Sequence, residues 1–347
     1  MKAVLYERFQ ETPLVTVVPD PEASEGSVVL EIRACGICRS DWHGWMGNDL
    51  DITLPHVPGH ELAGVIAETG RGVSKWKVGD RVTVPFVCGC GACPQCRSGN
   101  QQVCDFQFQP GFTHWGGFAE FVEIGYADEN LVSLPDEIEF VTASSLGCRF
   151  MTSFRAVVHQ GRTSAGEWVA VFGCGGVGLS SVMIAKALGT QVVAVDIGPE
   201  KLEFARSLGA DAAILSLPDT DVPSVIREIT GGGADVSIDA IGNPGAVRDS
   251  VMCLAKRGRH VQIGLMEAGH SEPAIPMNRI VAYELEMLGS HGLQAHKYPE
   301  MFSLIREAKL DPGKLVRDTV TLEGSIGVLT QMGGFPSNGI SVIDRFR

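Results

Sequence analysis

Residues 168–178 narrow the possible folds most: an apolar run, WVAVF, passes directly into Gly173-Cys174-Gly175-Gly176-Val177-Gly178 and then into a helix-length stretch. A G-x-G-x-x-G pattern alone is weak, but between a strand and a helix each glycine has a task. Gly173 permits the tight turn, Gly175 lets backbone approach a pyrophosphate, and Gly178 lets the helix pack on the sheet. Gly176 and Val177 open that helix, whose first amides and positive dipole end face an anion. The next apolar run ends in Asp196, at the spacing of a carboxylate that accepts the hydroxyls of a ribose. A carboxylate there repels a 2′-phosphate, so the pattern favours NAD over NADP. Lys201, at the start of the following helix, is a further candidate for the same ribose.

Around this turn, short apolar runs alternate with amphipathic stretches such as LSSVMIAKAL and PEKLEFARSL. The runs are WVAVF, QVVAV, DAAIL, DVSIDAI, RHVQIG and LEMLGS, six strands with intervening helices. That is the pattern of a doubly wound parallel sheet, whose buried strands are continuously apolar. Upstream, residues 1–149 are rich in Gly, Pro and short β-branched runs such as SVVLEIRA and DRVTVPF. They predict an irregular β-rich domain with long loops. The expected division is a first domain over 1–149 that recovers the tail 292–347, and a nucleotide-binding domain over 150–291.

A net charge of −13 argues against nucleic acid or an anionic membrane as partner. No apolar run reaches the ~18 residues a membrane span requires, and MKAVLYERFQ does not read as a signal peptide. The expected location is cytoplasmic. Of ten cysteines, Cys90, Cys93, Cys96 and Cys104 fall within fifteen residues. In a reducing compartment such clustering favours metal thiolates over disulfides, and four soft ligands on one loop suit a closed, tetrahedral structural zinc. Cys38, His60 and Cys148 are far apart in the chain, and each read alone is unremarkable. Together they supply two sulfurs and one imidazole, leaving a fourth position open as in a catalytic zinc. Cys88 and Cys174 have no assigned role.

The chain resembles the zinc-containing medium-chain alcohol dehydrogenases over essentially its full length. Gly59-His60-Glu61-x2-Gly64-x5-Gly70-x2-Val73 matches that family's zinc signature, and the four-cysteine lobe and GCGGVG turn follow in its order. The resemblance implies a GroES-like, β-rich catalytic domain beside a Rossmann domain, and two zinc ions per subunit plus NAD. It places Cys38, His60 and Cys148 on the catalytic zinc, Glu61 close behind the metal, and Asp41 as the acceptor that orients His60. It further implies reversible oxidation of primary or secondary alcohols to aldehydes or ketones, with zinc stabilising the alkoxide. A proton path through Ser40 and the cofactor ribose to His43 completes the implied mechanism. By the same resemblance Arg39 meets the pyrophosphate. Thr152, Val177, Ile241, Gly242, Ile263, Gly264 and Leu265 lie along the cofactor. Trp42, Phe86 and Trp115 are candidates for a substrate pocket, with an ordinary core role as the alternative.

Two departures stand out. The last strand, GISVIDRFR, has Ile340 where many members carry a pyrophosphate-binding arginine. Cys148 stands where polyol-type members tend to have a glutamate, which favours the alcohol type. The short loop after Cys104 resembles that of microbial, usually tetrameric members, so a homo-oligomer is expected. Two other classes stay open on sequence grounds. One is a zinc-free reductase, which would not need Cys38, His60 and Cys148 together. The other is a non-catalytic NAD-binding redox sensor using Cys174.

Overall fold

A computed structural model describes residues 1–266, 270–334 and 339–347. The chain forms two compact units, one of Met1–Met151, Gly292–Ser303 and Asp311–Arg347, the other of Thr152–His291 and Leu304–Leu310.

The first unit opens with β1 (Lys2–Leu5) and β2 (Leu14–Val17), an antiparallel pair. It continues through β3 (Val28–Ile37), β4 (Glu61–Thr69), β5 (Arg81–Thr83), β6 (Phe121–Ile124) and β7 (Val132–Ser133). The second unit supplies β8 (Trp168–Phe172), β9 (Gln191–Asp196), β10 (Ala212–Leu215), β11 (Ala234–Asp239), β12 (Leu254–Gln262) and β13 (Glu286–Gly289). The chain then returns to the first unit with β14 (Val316–Thr321) and β15 (Ile340–Arg345).

In the second unit the order is β10-β9-β8-β11-β12-β13, every neighbouring pair parallel. These are the six strands the apolar runs predict. Val169, Ala170 and Val171 are fully buried, as are Val192, Val193 and Ala194, because helices cover both faces and no alternation with water is left. After β8 the chain winds outward one way through β9 and β10, then restarts beside β8 at β11 and winds the other way. The strand order therefore reverses between β8 and β11, the switch point at which such sheets bind ligands. The glycine turn sits there.

The larger sheet of the first unit runs β14-β15-β3-β4-β5-β7, with β6 pairing β3. Its core gathers Val28, Leu30, Ile32, Cys35 and Ile37 of β3 with Leu62 and Ile66 of β4, Phe118, and Leu322 and Leu329 from the tail. β3 and β4 are antiparallel, with Gly36 opposite Glu61. Consequently the residue just past the end of β3, Cys38, and the residue just before β4, His60, emerge side by side. Among the described residues no helix is long and apolar enough to cross a membrane.

Candidate active site and dinucleotide turn

One atom each from Cys38, His60, Glu61 and Cys148 lie within 4.8 Å of one another. β3 and β4 deliver the first three, and the helical segment Leu146–Phe150 delivers Cys148. His60 is fully buried. Its Nδ1 donates to Asp41 Oδ1 at 2.8 Å, while its Nε2 is buried with no hydrogen-bond partner. A buried polar nitrogen is almost always satisfied, so one left open between two thiols calls for a further partner. Asp41 is itself fixed: Oδ1 also accepts from Gly59 N (3.1 Å), and Oδ2 accepts from Cys38 N (2.8 Å). That last bond is half of the capping box that starts the helix Arg39–Trp45. One carboxylate thus sets the imidazole's tautomer and anchors the backbone of Cys38.

The Cys38 thiol is held well below its ordinary range. Hydrogen bonding from Cys148 contributes most, and with Arg149 and His60 it outweighs burial. The same bond to Cys38, together with burial, holds the Cys148 thiol above its ordinary range. Two sulfurs, one of them poised for deprotonation, one neutral-capable imidazole and an open position form the donor set of a catalytic zinc, and the residues fit that ion.

Glu61 is committed elsewhere. Its Oε1 accepts from Arg149 Nε at 2.9 Å and its Oε2 pairs with Arg149 Nη2, which also donates to Ile37 O at 3.2 Å. Sequence reading did not single out Arg149. Its signal was an arginine inside the otherwise apolar SLGCRF, next to a candidate ligand. Phe112 was missed too: its ring lies 4.9 Å from that of His60, while Phe86 meets the same ring edge-on at 6.1 Å. Trp42 instead lies beneath Arg39, 4.9 Å away, with His43 edge-on to it, and Trp115 donates to Pro55 O at 3.0 Å.

Ser40 and His43 share the helix Arg39–Trp45 at i, i+3 spacing, which puts them on one side. Ser40 Oγ lies 3.9 Å from Cys38 Sγ, and His43 Nδ1 is 3.3 Å from Asn48 Nδ2. Arg39 Nη1 donates to Met332 O at 3.2 Å.

The second cluster, Cys90, Cys93, Cys96 and Cys104, also has its four sulfurs within 4.8 Å of one another. All four are free thiols. Backbone amides converge on the sulfurs: Cys93 N on Cys90 (3.4 Å), Cys96 N on Cys93 (3.4 Å), and Cys90 N and Phe106 N on Cys104 (3.3 and 3.2 Å). Donors aimed at sulfur favour thiolate, so the lobe fits a closed four-sulfur metal site.

In the second unit, Gly173 adopts φ +93°, a left-handed conformation suited to glycine, and a Cβ on Gly178 would collide with the Gly173 carbonyl. A Cβ on Gly175 would meet nothing within 4 Å. The helix Gly176–Ala187 starts there with no side chain capping its first amides. An open cradle of uncapped N–H groups fits a pyrophosphate. Asp196, buried at the end of β9, accepts from Cys174 N (2.7 Å) on one oxygen and Gly198 N (2.8 Å) on the other. Lys201 packs against Gly198 in the first turn of Pro199–Ser207. Val177 O accepts from Ser153 Oγ at 2.7 Å, and the neighbouring Thr152 has a buried hydroxyl without a partner. Ile241-Gly242 and Ile263-Gly264-Leu265 follow β11 and β12 at the same edge of the sheet. Ile340 is fully buried in β15.

Residues 24–136 match the alcohol dehydrogenase GroES-like domain family, and residues 176–307 match the zinc-binding dehydrogenase family. An alcohol dehydrogenase of Geobacillus stearothermophilus is 37% identical over 292 residues, covering 84% of each chain. The chain belongs to the zinc-containing medium-chain alcohol dehydrogenase family. It is accordingly an oxidoreductase, built as a GroES-like unit and a Rossmann unit. Another member, an NAD-dependent alcohol dehydrogenase of Sulfurisphaera tokodaii, is 32% identical over 338 residues and 94% of each chain. The structure of the alcohol dehydrogenase of Thermus sp. ATN1 superposes with a TM-score of 0.88 at 26% identity, covering 100% of both chains.

Proposed function

We propose that the protein is an NAD-dependent, zinc-using alcohol dehydrogenase that reversibly oxidises primary or secondary alcohols to aldehydes or ketones. The observation that carries this reading is the unpartnered, buried Nε2 of His60 between Cys38 and Cys148, with Nδ1 locked by Asp41. Cys38, His60 and Cys148 would hold the catalytic zinc, and the four-cysteine lobe a second, structural ion. Zinc, when bound, supplies a Lewis acid that lets an alcohol hydroxyl ionise near neutral pH. NAD, when bound, accepts the hydride.

The chain's own groups do the rest. Asp41 orients His60 and fixes Cys38, so the donor set is built before any ligand arrives. Arg149 keeps Glu61 occupied, which leaves the fourth position for substrate. The Ser40 hydroxyl, beside Cys38, accepts the substrate proton as it gives up its own, and His43 on the same side of the helix passes it to solvent. Phe86 and Phe112, flanking the His60 ring, would present an apolar wall to the substrate carbon. Gly175 and the amides of Gly176–Ala187 would cradle the pyrophosphate. Asp196 would accept the ribose hydroxyls and disfavour a 2′-phosphate. We further propose a cytoplasmic homotetramer.

The test is NADH formation from primary, secondary, benzylic and polyol substrates, before and after removal of exchangeable zinc. Activity lost with the metal and restored by zinc is the expected result. Turnover surviving complete zinc removal overturns the reading, and turnover with NADP but not NAD overturns the cofactor assignment.

A further inference from the structure

Among the described residues, no ion pair meets the carboxylate that ends β11, Asp239. Asp239 is fully buried, and burial pushes its carboxyl up, against the pull of its donors. An uncompensated carboxylate in a core is costly, and only well-placed hydrogen bonds hold it there. Oδ1 accepts from Ile241 N (2.7 Å) and Gly242 N (3.1 Å). Oδ2 accepts from Gln262 Nε2 at 3.1 Å, and the backbone carbonyl of Asp239 accepts from Ile263 N (3.0 Å) and Gly264 N (2.9 Å). A single residue therefore fixes four amides on two different loops.

Gln262 closes the arrangement. Its Nε2 also donates to Gly264 O at 2.7 Å, and its Oε1 accepts from His260 Nε2 at 3.1 Å. His260 Nδ1 in turn accepts from the Ser237 hydroxyl at 3.1 Å, while Ser250 Oγ, 3.0 Å from the same nitrogen, donates its proton to Val247 O at 3.0 Å. The amide of Gln262 has one orientation that satisfies every neighbour. The two loops then touch backbone to backbone: a Cβ on Gly242 would strike Leu265 O, and one on Gly264 would strike Gly242 N. Above this contact Ile241 and Leu265 are 42% and 86% exposed, an apolar ledge at the carboxyl edge of the sheet.

The order of the strands orders the ligand. β9 carries the ribose carboxylate Asp196, β8 carries the glycine turn, and β11 and β12 come next on the far side. A dinucleotide with its adenosine ribose at β9 and its pyrophosphate at β8 continues onto the β11 and β12 loops with its nicotinamide half. We propose that Asp239, acting with Gln262, is the positioning residue for the nicotinamide half of the cofactor, holding the Ile241–Gly242 and Ile263–Leu265 ledge in register with the glycine turn. This rests on the NAD reading above.

Asp239→Asn changes one atom yet puts an amide nitrogen opposite Gln262 Nε2, so Gln262 must turn over and release Gly264. Gln262→Met removes the same tie and leaves Asp239 in place. The experiment titrates the full-length, zinc-loaded protein and both variants with NADH and, separately, with AMP, which has the adenosine half only. Both variants are expected to bind NADH about tenfold more weakly, with AMP affinity within about twofold of wild type. An unchanged NADH affinity in both variants overturns the proposal. So does an equal loss for AMP, which would mark a general structural defect. Should Asp239→Asn not fold, Gln262→Met alone decides. Wild type that binds AMP but not NADH refutes the dinucleotide reading itself, and the proposal with it.

Discussion

Asp41 makes three hydrogen bonds with one side chain, accepting from His60 Nδ1, Gly59 N and Cys38 N, and the last of these starts a helix. Replacing it by alanine frees the imidazole to rotate and releases the backbone of Cys38. Loss of such an outer partner typically weakens metal binding about 10–100-fold, so Asp41→Ala should retain the structural zinc and lose the catalytic one to mild chelation, as metal analysis would show. Ser40→Ala should do the opposite, keeping both ions while turnover falls by about 10²–10⁴. Unchanged turnover and pH dependence would remove Ser40 from the proton path. Arg149 is different again, since it answers the buried charge of Glu61. Arg149→Met should destabilise by about 3–5 kcal/mol, and adding Glu61→Gln should recover most of that, because the pair's main effect is to avoid a lone buried charge. Denaturant unfolding of the wild type and the two variants measures it. Cys38, His60 and Cys148 were legible from residue type and family spacing. The Glu61–Arg149 pair was not, because nothing in local sequence links residues 88 positions apart.

At the scale of elements, the β8 turn was readable because strand, glycines and helix are contiguous, and each glycine's geometry is fixed by its immediate neighbours. The two later glycines separate folding from binding. At Gly178 a Cβ would collide with the Gly173 carbonyl, whereas at Gly175 it would meet nothing within 4 Å. Gly178→Ala should therefore push the helix off the strand, costing about 1–3 kcal/mol in unfolding experiments and weakening NADH binding with it. Gly175→Ala should leave stability unchanged within about 0.5 kcal/mol and still weaken NADH, since its methyl group would stand where the pyrophosphate approaches. If Gly175→Ala binds NADH as wild type does, the cradle is not a phosphate site. The pairing of β3 with β4 is the opposite case. It places Cys38 beside His60 through a register, Gly36 opposite Glu61, that alternation of apolar residues suggests only loosely.

Across the whole molecule, the parallel sheet was open to reading because its six strands follow one another, each bounded by a helix-length segment. The mixed sheet was harder, because β15 pairs with β3 at Ser341 opposite Ile37, some three hundred residues apart, and no local pattern encodes that choice. Long-range burial also sets how the molecule responds to acid. His260 is fully buried, and burial lowers it from 6.5 to about 4, the hydrogen bond to Gln262 only partly opposing this. An unfolded chain takes up this proton near pH 6.5, the folded one only near pH 4. Between those values the unfolded state binds more protons, so stability falls as pH falls through the window and is unaffected by this group above it. With about 1.4 kcal/mol per pH unit, the loss across the window is about 3 kcal/mol. His260→Gln keeps a donor and an acceptor at the site but cannot be protonated. Urea unfolding of wild type and variant from pH 7 to pH 4 should therefore give midpoints whose difference shifts in favour of the variant as the pH drops. Parallel pH dependence in the two proteins would mean that His260 is charged in the folded state, and that the Ser237–His260–Gln262–Asp239 chain does not run in the direction its hydrogen bonds describe.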